Sequence, residues 1–164
     1  MAIFDFLKTI WRSEPIKVDK KSEFSSIHDF KYKTRIDVRF QDFDMMGHVN
    51  NAVYFTYMEI GRTKYWTQAI NWNWAKTGVI IGSASIKYIK PVHANETLNM
   101  YVRTSRIGSS SFDLEYLLTK VSGGQEEICS QGKTTCIAFD YGKKQSVPVP
   151  SIERNKMIEF EQLV

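Results

Sequence analysis

Cysteine is scarce in this chain: Cys129 and Cys136 are the only two among 164 residues. If both lie on one strand, as the pattern below implies, they stand about 23 Å apart at ~3.3 Å per residue, far beyond disulfide reach. That excludes an extracellular disulfide framework. Long apolar runs are also lacking, and nothing approaches the ~18 apolar residues of a membrane-spanning helix. The first residues are interrupted by Asp5, Lys8 and Arg12 and carry no small-residue cleavage site. They do not read as a signal peptide, and a cytoplasmic location is the expectation. Histidine is sparse too. His28, His48 and His93 are scattered and the cysteines lack Cys-x-x-Cys spacing, so no metal site is expected. Gly82-Ser83 and Gly108-Ser109 are only fragments of a Gly-x-Ser-x-Gly elbow. Walker and dinucleotide fingerprints are missing, so no cofactor is expected.

What is present is an ordinary globular composition, 43% hydrophobic and 13% aromatic. The length fits one domain, able to bury roughly 70% of its unfolded surface. Lys and Arg outnumber Asp and Glu by 22 to 18, a formal net charge of +4. That excess favours an anionic partner and by itself leaves nucleic acid, an anionic membrane and a phosphorylated small molecule all open. No nucleic-acid-binding motif accompanies it, so nucleic acid is not an expected partner.

Apolar residues at positions 3, 4, 7, 10 and 11 have helical spacing, which predicts a short amphipathic helix. It is expected to pack on the domain or on a second subunit; a weak membrane-surface contact through residues 3–12 is the alternative. Residues 13–30 read as a polar connector. From Lys31 the period becomes two: Tyr32, Thr34, Ile36, Val38 and Phe40 share one face of a strand. A loop from Gln41 to Val49 follows, then a helix over about 50–69, with Asn50 or Asn51 as N-cap. That helix is apolar around most of its circumference and so must be wrapped. Four further strand patterns, over 78–90, 97–107, 111–121 and 126–139, supply the wrapper. The connections Gly108-Ser109-Ser110 and Ser122-Gly123-Gly124-Gln125 are short, which implies antiparallel neighbours. Gly82 and Ala84 are expected to let the helix approach the sheet. A short helix is expected from about Ser151, after Pro148 and Pro150. The expected fold class is therefore α+β, an antiparallel sheet of about five strands around one long central helix. Residues 1–30 form an N-terminal helix and connector, 31–145 the domain and 146–164 a tail.

The segment that carries chemistry runs from Arg39 to Arg62. It holds Asp42-Phe43-Asp44-Met45-Met46-Gly47-His48-Val49-Asn50-Asn51 and then Tyr54, Tyr57, Glu59 and Arg62. It resembles the hot-dog-fold thioesterases of the 4-hydroxybenzoyl-CoA thioesterase and acyl-CoA thioesterase type. Their pattern is a strand, Asp-x-Asp-x-x-Gly, and a central helix with an aromatic and a Glu-x-x-Arg pair. The likeness continues more weakly through Lys87-Tyr88-Ile89-Lys90-Pro91-Val92 and covers about residues 31–140.

This resemblance implies hydrolysis of an acyl-CoA or acyl-carrier-protein thioester, and a site assembled between subunits of a homodimer or homotetramer. It implies that Asp44 acts on the thioester carbonyl, as nucleophile or as base for a water, with the helix-start amide of Asn51 as oxyanion donor. Gly47, His48 and Glu59 complete the catalytic candidates, Glu59 because some such enzymes carry the carboxylate on the helix. Lys87, Lys90, Arg103 and Arg106, with Lys133, are candidates for the phosphates of coenzyme A. Each residue has a plainer reading: Asp42 and Asp44 as turn formers, Gly47 as a backbone requirement, His48 as a hydrogen-bonded lead-in, Glu59–Arg62 as an intrahelical pair, and the cations as solvated charges. Two other functions fit the fold. Hot-dog hydratases or dehydratases use an Asp-x-Asn-Pro-x-His pattern that is not matched here, and a non-catalytic acyl-CoA-binding module would have no need of Asp44.

Overall fold

A computed structural model describes residues 26–163; the expected helix over residues 3–12 lies outside them. The sheet contains β1 (Tyr32–Ile36), β2 (Gly78–Tyr88), β3 (Leu98–Ile107), β4 (Ser111–Ser122), β5 (Gln125–Asp140) and a short β6 (Gln145–Ser146). All pairings are antiparallel, in the order β1-β3-β4-β5-β2, with β6 beside β5. The β4–β5 hairpin turns on Gly123 and Gly124, both at positive φ (59° and 79°), the backbone a two-residue turn of this hand requires. Because β1 and β2 are opposite edges, the segment joining them must cross the whole sheet. Helix α1 (Val53–Tyr65) makes that crossing.

Tyr54, Tyr57, Met58, Gly61 and Tyr65 form the buried stripe of α1. The helix ends in a wider turn, Trp66–Ile70, closed by Asn71 at φ 50°. A Cβ on Gly61 would lie 2.6 Å from Met100 Cγ, and one on Gly132 would lie 2.7 Å from Met58 Sδ. Gly61 and Gly132, not Gly82 and Ala84, therefore permit the close approach. A bulge between Ile81 and Ser83 interrupts β2, and a Cβ on Gly82 would meet Ile137 rather than the helix. Ala84 stands opposite Thr134 yet is exposed, so α1, which meets this edge strand at Tyr88, leaves Ala84 uncovered.

The first strand is shorter than its alternation suggested. Phe40, expected on the inner face, is 95% exposed in a turn over Phe40–Asp42. On the outer face, Phe30 packs against Tyr101 and Leu117, so the end of the expected connector is docked on the sheet. The C-terminal helix, α2 (Ser151–Glu161), buries Met157 and closes the far end of α1, where Tyr65 donates a 2.6 Å hydrogen bond to Glu161. Burial pushes the Glu161 carboxyl above its ordinary pKa. Both cysteines lie on β5, buried and unpaired. Among the described residues no helix is long and apolar enough to cross a membrane.

Candidate active site

The loop between β1 and α1 is built on two aspartates facing opposite ways. Asp42 is 1% exposed. Its Oδ2 accepts from the Arg39 amide (2.8 Å) and the Tyr57 hydroxyl (2.9 Å), and its Oδ1 from Arg39 Nη2 (2.8 Å) and Nε (3.1 Å). Its carbonyl accepts the Asn50 amide at 2.9 Å. Burial raises the Asp42 pKa, but these donors outweigh it and hold the carboxyl below its ordinary value. Asp42 is more than a turn former: it ties the loop to the helix.

Asp44 faces solvent. Its Oδ1 accepts the amides of Met46 (2.8 Å) and His48 (3.1 Å), while Oδ2 has no hydrogen-bond partner among the described residues. The loop closes through Asp44 N–H to the His48 carbonyl (2.8 Å) and Gly47 N–H to the Asp44 carbonyl (3.0 Å). Gly47 sits at φ 75° and nothing lies within 4 Å of where its Cβ would be. Its requirement is conformational, not one of close approach within this protomer. The His48 ring meets His93 edge-on at 4.6 Å.

At the start of the helix the amides are almost all spoken for. Asn50 N–H bonds the Asp42 carbonyl, Ala52 N–H the Asn50 Oδ1 and Val53 N–H the Asn50 carbonyl, each at 2.9 Å. Asn51 N–H has no acceptor among the described residues. Asn51 stands at the positive end of α1 and lines a recess of about 270 Å³ together with Asp44, His48, Tyr54, Tyr88 and Lys90, among others. A larger recess of about 420 Å³ lies beside Arg35, Phe40, Phe43 and Asn95. It is lined by neither Asp44 nor the residues at the start of α1, so the smaller recess, not the larger, is the one that holds the sequence candidates.

A family model described as the thioesterase-like superfamily matches residues 38–157. The chain belongs to this superfamily. Thioester hydrolysis is accordingly its activity, on a hot-dog fold. It is 34% identical over 130 residues to an uncharacterized Bacillus subtilis protein, YsmA, covering 79% of this chain and 86% of that one. It is 26% identical over 134 residues to the chloroplastic acyl-acyl carrier protein thioesterase ATL3 of Arabidopsis thaliana, covering 79% of this chain and 68% of that one. A thioesterase of Thermus thermophilus, solved with coenzyme A and zinc, superposes with a TM-score of 0.73 at 30% identity. The match spans 84% of this chain and 99% of that one.

The other candidates in this thioesterase separate clearly. Glu59 lies eight residues after Asn51, about 12 Å along the helix. It is exposed, does not line the recess and pairs with Arg62 at 3.8 Å. Lys90 is at the recess, paired with Glu127 at 3.1 Å. Lys87, Arg103, Arg106 and Lys133 lie on the outer face of the sheet, away from α1. There Arg103 bonds Glu115 (2.8 Å), and Arg106 (2.8 Å) and Lys133 (3.3 Å) bond Asp113. The charges of Arg103, Arg106 and Lys133 are neutralised across strands, and none of the four lines the recess. Tyr54 and Tyr88 also line the recess and His93 meets His48 beside it, placements that spacing along the chain does not give. Tyr88 stood inside the resembling segment, but only its position after folding distinguishes it.

Proposed function

We propose that the enzyme hydrolyses an acyl-CoA thioester, with Asp44 delivering the attack and the Asn51 amide receiving the oxyanion. The observation that carries this reading is that unclaimed amide, opening beside a carboxylate with one oxygen held and the other free. Asp44 Oδ1 is fixed by two turn amides, so Oδ2 is aimed without needing to reorganise. It attacks the carbonyl carbon directly or takes the proton of an attacking water. The tetrahedral oxyanion then points at Asn51 N–H, supported by the helix dipole. The C–S bond breaks and sulfur leaves as thiolate; in the direct route a water then hydrolyses the acyl–Asp44 anhydride, releasing the acid and restoring the carboxylate, and in the water route the acid is released at once. A thiol of pKa about 8.5 needs no strong acid to depart, which suits so sparse a site. His48 and Gly47 shape the loop, and Lys90 at the rim is the cation placed to meet the nucleotide phosphates. Acyl-carrier protein is the second thiol carrier to consider, because one relative is named for it. Thiol release from short, long and aromatic acyl-CoA esters, with an acyl-carrier-protein thioester beside them, tests the proposal. Steady release from at least one acyl-CoA ester is expected; none from any would leave binding without catalysis.

The active unit is a homodimer or homotetramer. Strand β2 offers an eleven-residue open edge, and Phe40, Met45, Met46 and Phe55 are exposed around the site. An edge of that length and apolarity calls for cover, and a second copy supplies it. Light scattering should give at least twice the 19.1 kDa chain mass. A monomer at micromolar concentration would refute it. Two buried free thiols support a cytoplasmic home.

A further inference from the structure

We propose that Tyr88 is a positioning residue for thioester hydrolysis, acting on the reaction through the backbone of Asn51. The inference rests on the reading of Asn51 N–H as the oxyanion donor. Tyr88 is the last residue of β2, and its hydroxyl donates a 2.9 Å hydrogen bond to the Asn51 carbonyl, thirty-seven residues away in sequence. Its ring stands edge-on to Tyr54 at 5.1 Å, and Tyr54 is buried in the first turn of α1. The strand end that carries Tyr88 is itself anchored, since the amides of Ile89 (2.8 Å) and Lys90 (3.0 Å) both bond the Cys129 carbonyl. A firmly held hydroxyl therefore grips the helix lead-in from the opposite edge of the sheet.

This grip falls where the lead-in has no other restraint. Asn50 is tied through its amide, its carbonyl and its side chain. Ala52 N–H is taken by Asn50. The Asn51 residue between them has a donor that must stay free for substrate, leaving its carbonyl as the handle by which its backbone can be oriented. An oxyanion donor is effective only when it lies about 2.7–3.1 Å from the developing charge, and a displacement of 1 Å costs ~10²-fold in rate. The Tyr88 hydroxyl supplies the missing restraint without touching the reacting atoms. The stacking on Tyr54 is a separate matter: it holds the ring, and phenylalanine would preserve it.

Tyr88→Phe is the decisive variant. It should lower kcat about 10-fold, part of the cost of a full misplacement, with KM within about twofold and Tm unchanged. Asn51→Pro removes the donor itself and should lower kcat ~10²-fold. Adding Tyr88→Phe to Asn51→Pro should then change nothing further, because the group being positioned is gone. NMR relaxation at the Asn51 backbone should show greater mobility in Tyr88→Phe, a readout that stands even if Asn51→Pro fails to fold. An unchanged kcat, a rise in KM alone or unchanged Asn51 backbone mobility would each overturn the proposal. So would an equal Tyr88→Phe loss in the Asn51→Pro background. If Asp44→Asn keeps full activity, the underlying site reading fails independently. If Asp44→Asn is dead and Tyr88→Phe is normal, only the positioning role fails.

Discussion

Asp44→Asn should fold normally and lose at least ~10²-fold in kcat, the low end for a positioned acid–base group. The substitution is nearly isosteric, and the amide oxygen can still accept from Met46 and His48, whose bonds now run to Oδ1. Asparagine is also at home in this turn chemistry. What disappears is the negative charge on Oδ2, and with it the nucleophile or base. Tm should stay within about 1–2 °C, since an exposed site with its turn bonds intact loses little stability. Glu59→Gln, by contrast, touches an exposed side chain outside the recess and should leave kcat near its parent value. Wild-type hydrolysis by Asp44→Asn together with loss in Glu59→Gln would move the carboxylate onto the helix.

Asp42→Ala should do the reverse, acting first on stability. The Tyr57 hydroxyl is fully buried and Asp42 is its acceptor, so truncation strands a polar group in the core. Leaving a buried donor unsatisfied costs about 1–3 kcal/mol, which in a domain of this size lowers Tm by about 2–12 °C. The Arg39 pairing adds little, because that guanidinium is half exposed and screened by water. Chemical denaturation reads the loss directly. The pH dependence has a definite sign. The Asp42 pKa is depressed in the fold, so its contribution is present above the unfolded carboxylate value of about 3.9 and fades as pH falls through the lower folded value. The stability gap between parent and Asp42→Ala should therefore narrow below about pH 4. A gap that widened on acidification would contradict the assignment of Asp42 as an ionised anchor.

The contrast between these two residues measures how much was legible. Spacing placed both aspartates in a loop between a strand and an apolar helix, and the loop and Gly47 are where the pattern put them; the helix starts later, at Val53, with Ala52 and not an asparagine as its N-cap, because Asn50 is spent on the loop. It could not say which carboxylate turns inward. That depends on Tyr57, fifteen residues on, whose hydroxyl reaches Asp42 only once α1 is seated. The same limit applies to the cations. Arg103 and Arg106 look available along the chain, but strand register sets them against Glu115 and Asp113.

Local pattern by itself determined the α+β class, the run of antiparallel strands, the buried central helix and a loop that holds Asp42 and Asp44 between strand and helix. Those features arise from period, turn residues and capping, all of which act within a few residues. Tertiary structure alone decided that Gly61 and Gly132 carry the close approach, that α1 leaves Ala84 uncovered, and that Tyr88 meets the Asn51 carbonyl. Each of these depends on strand register, on the bulge between Ile81 and Ser83, or on the crossing of the helix from one edge of the sheet to the other. Such contacts join residues far apart in the chain, and periodicity carries no information about which distant partner a side chain will meet.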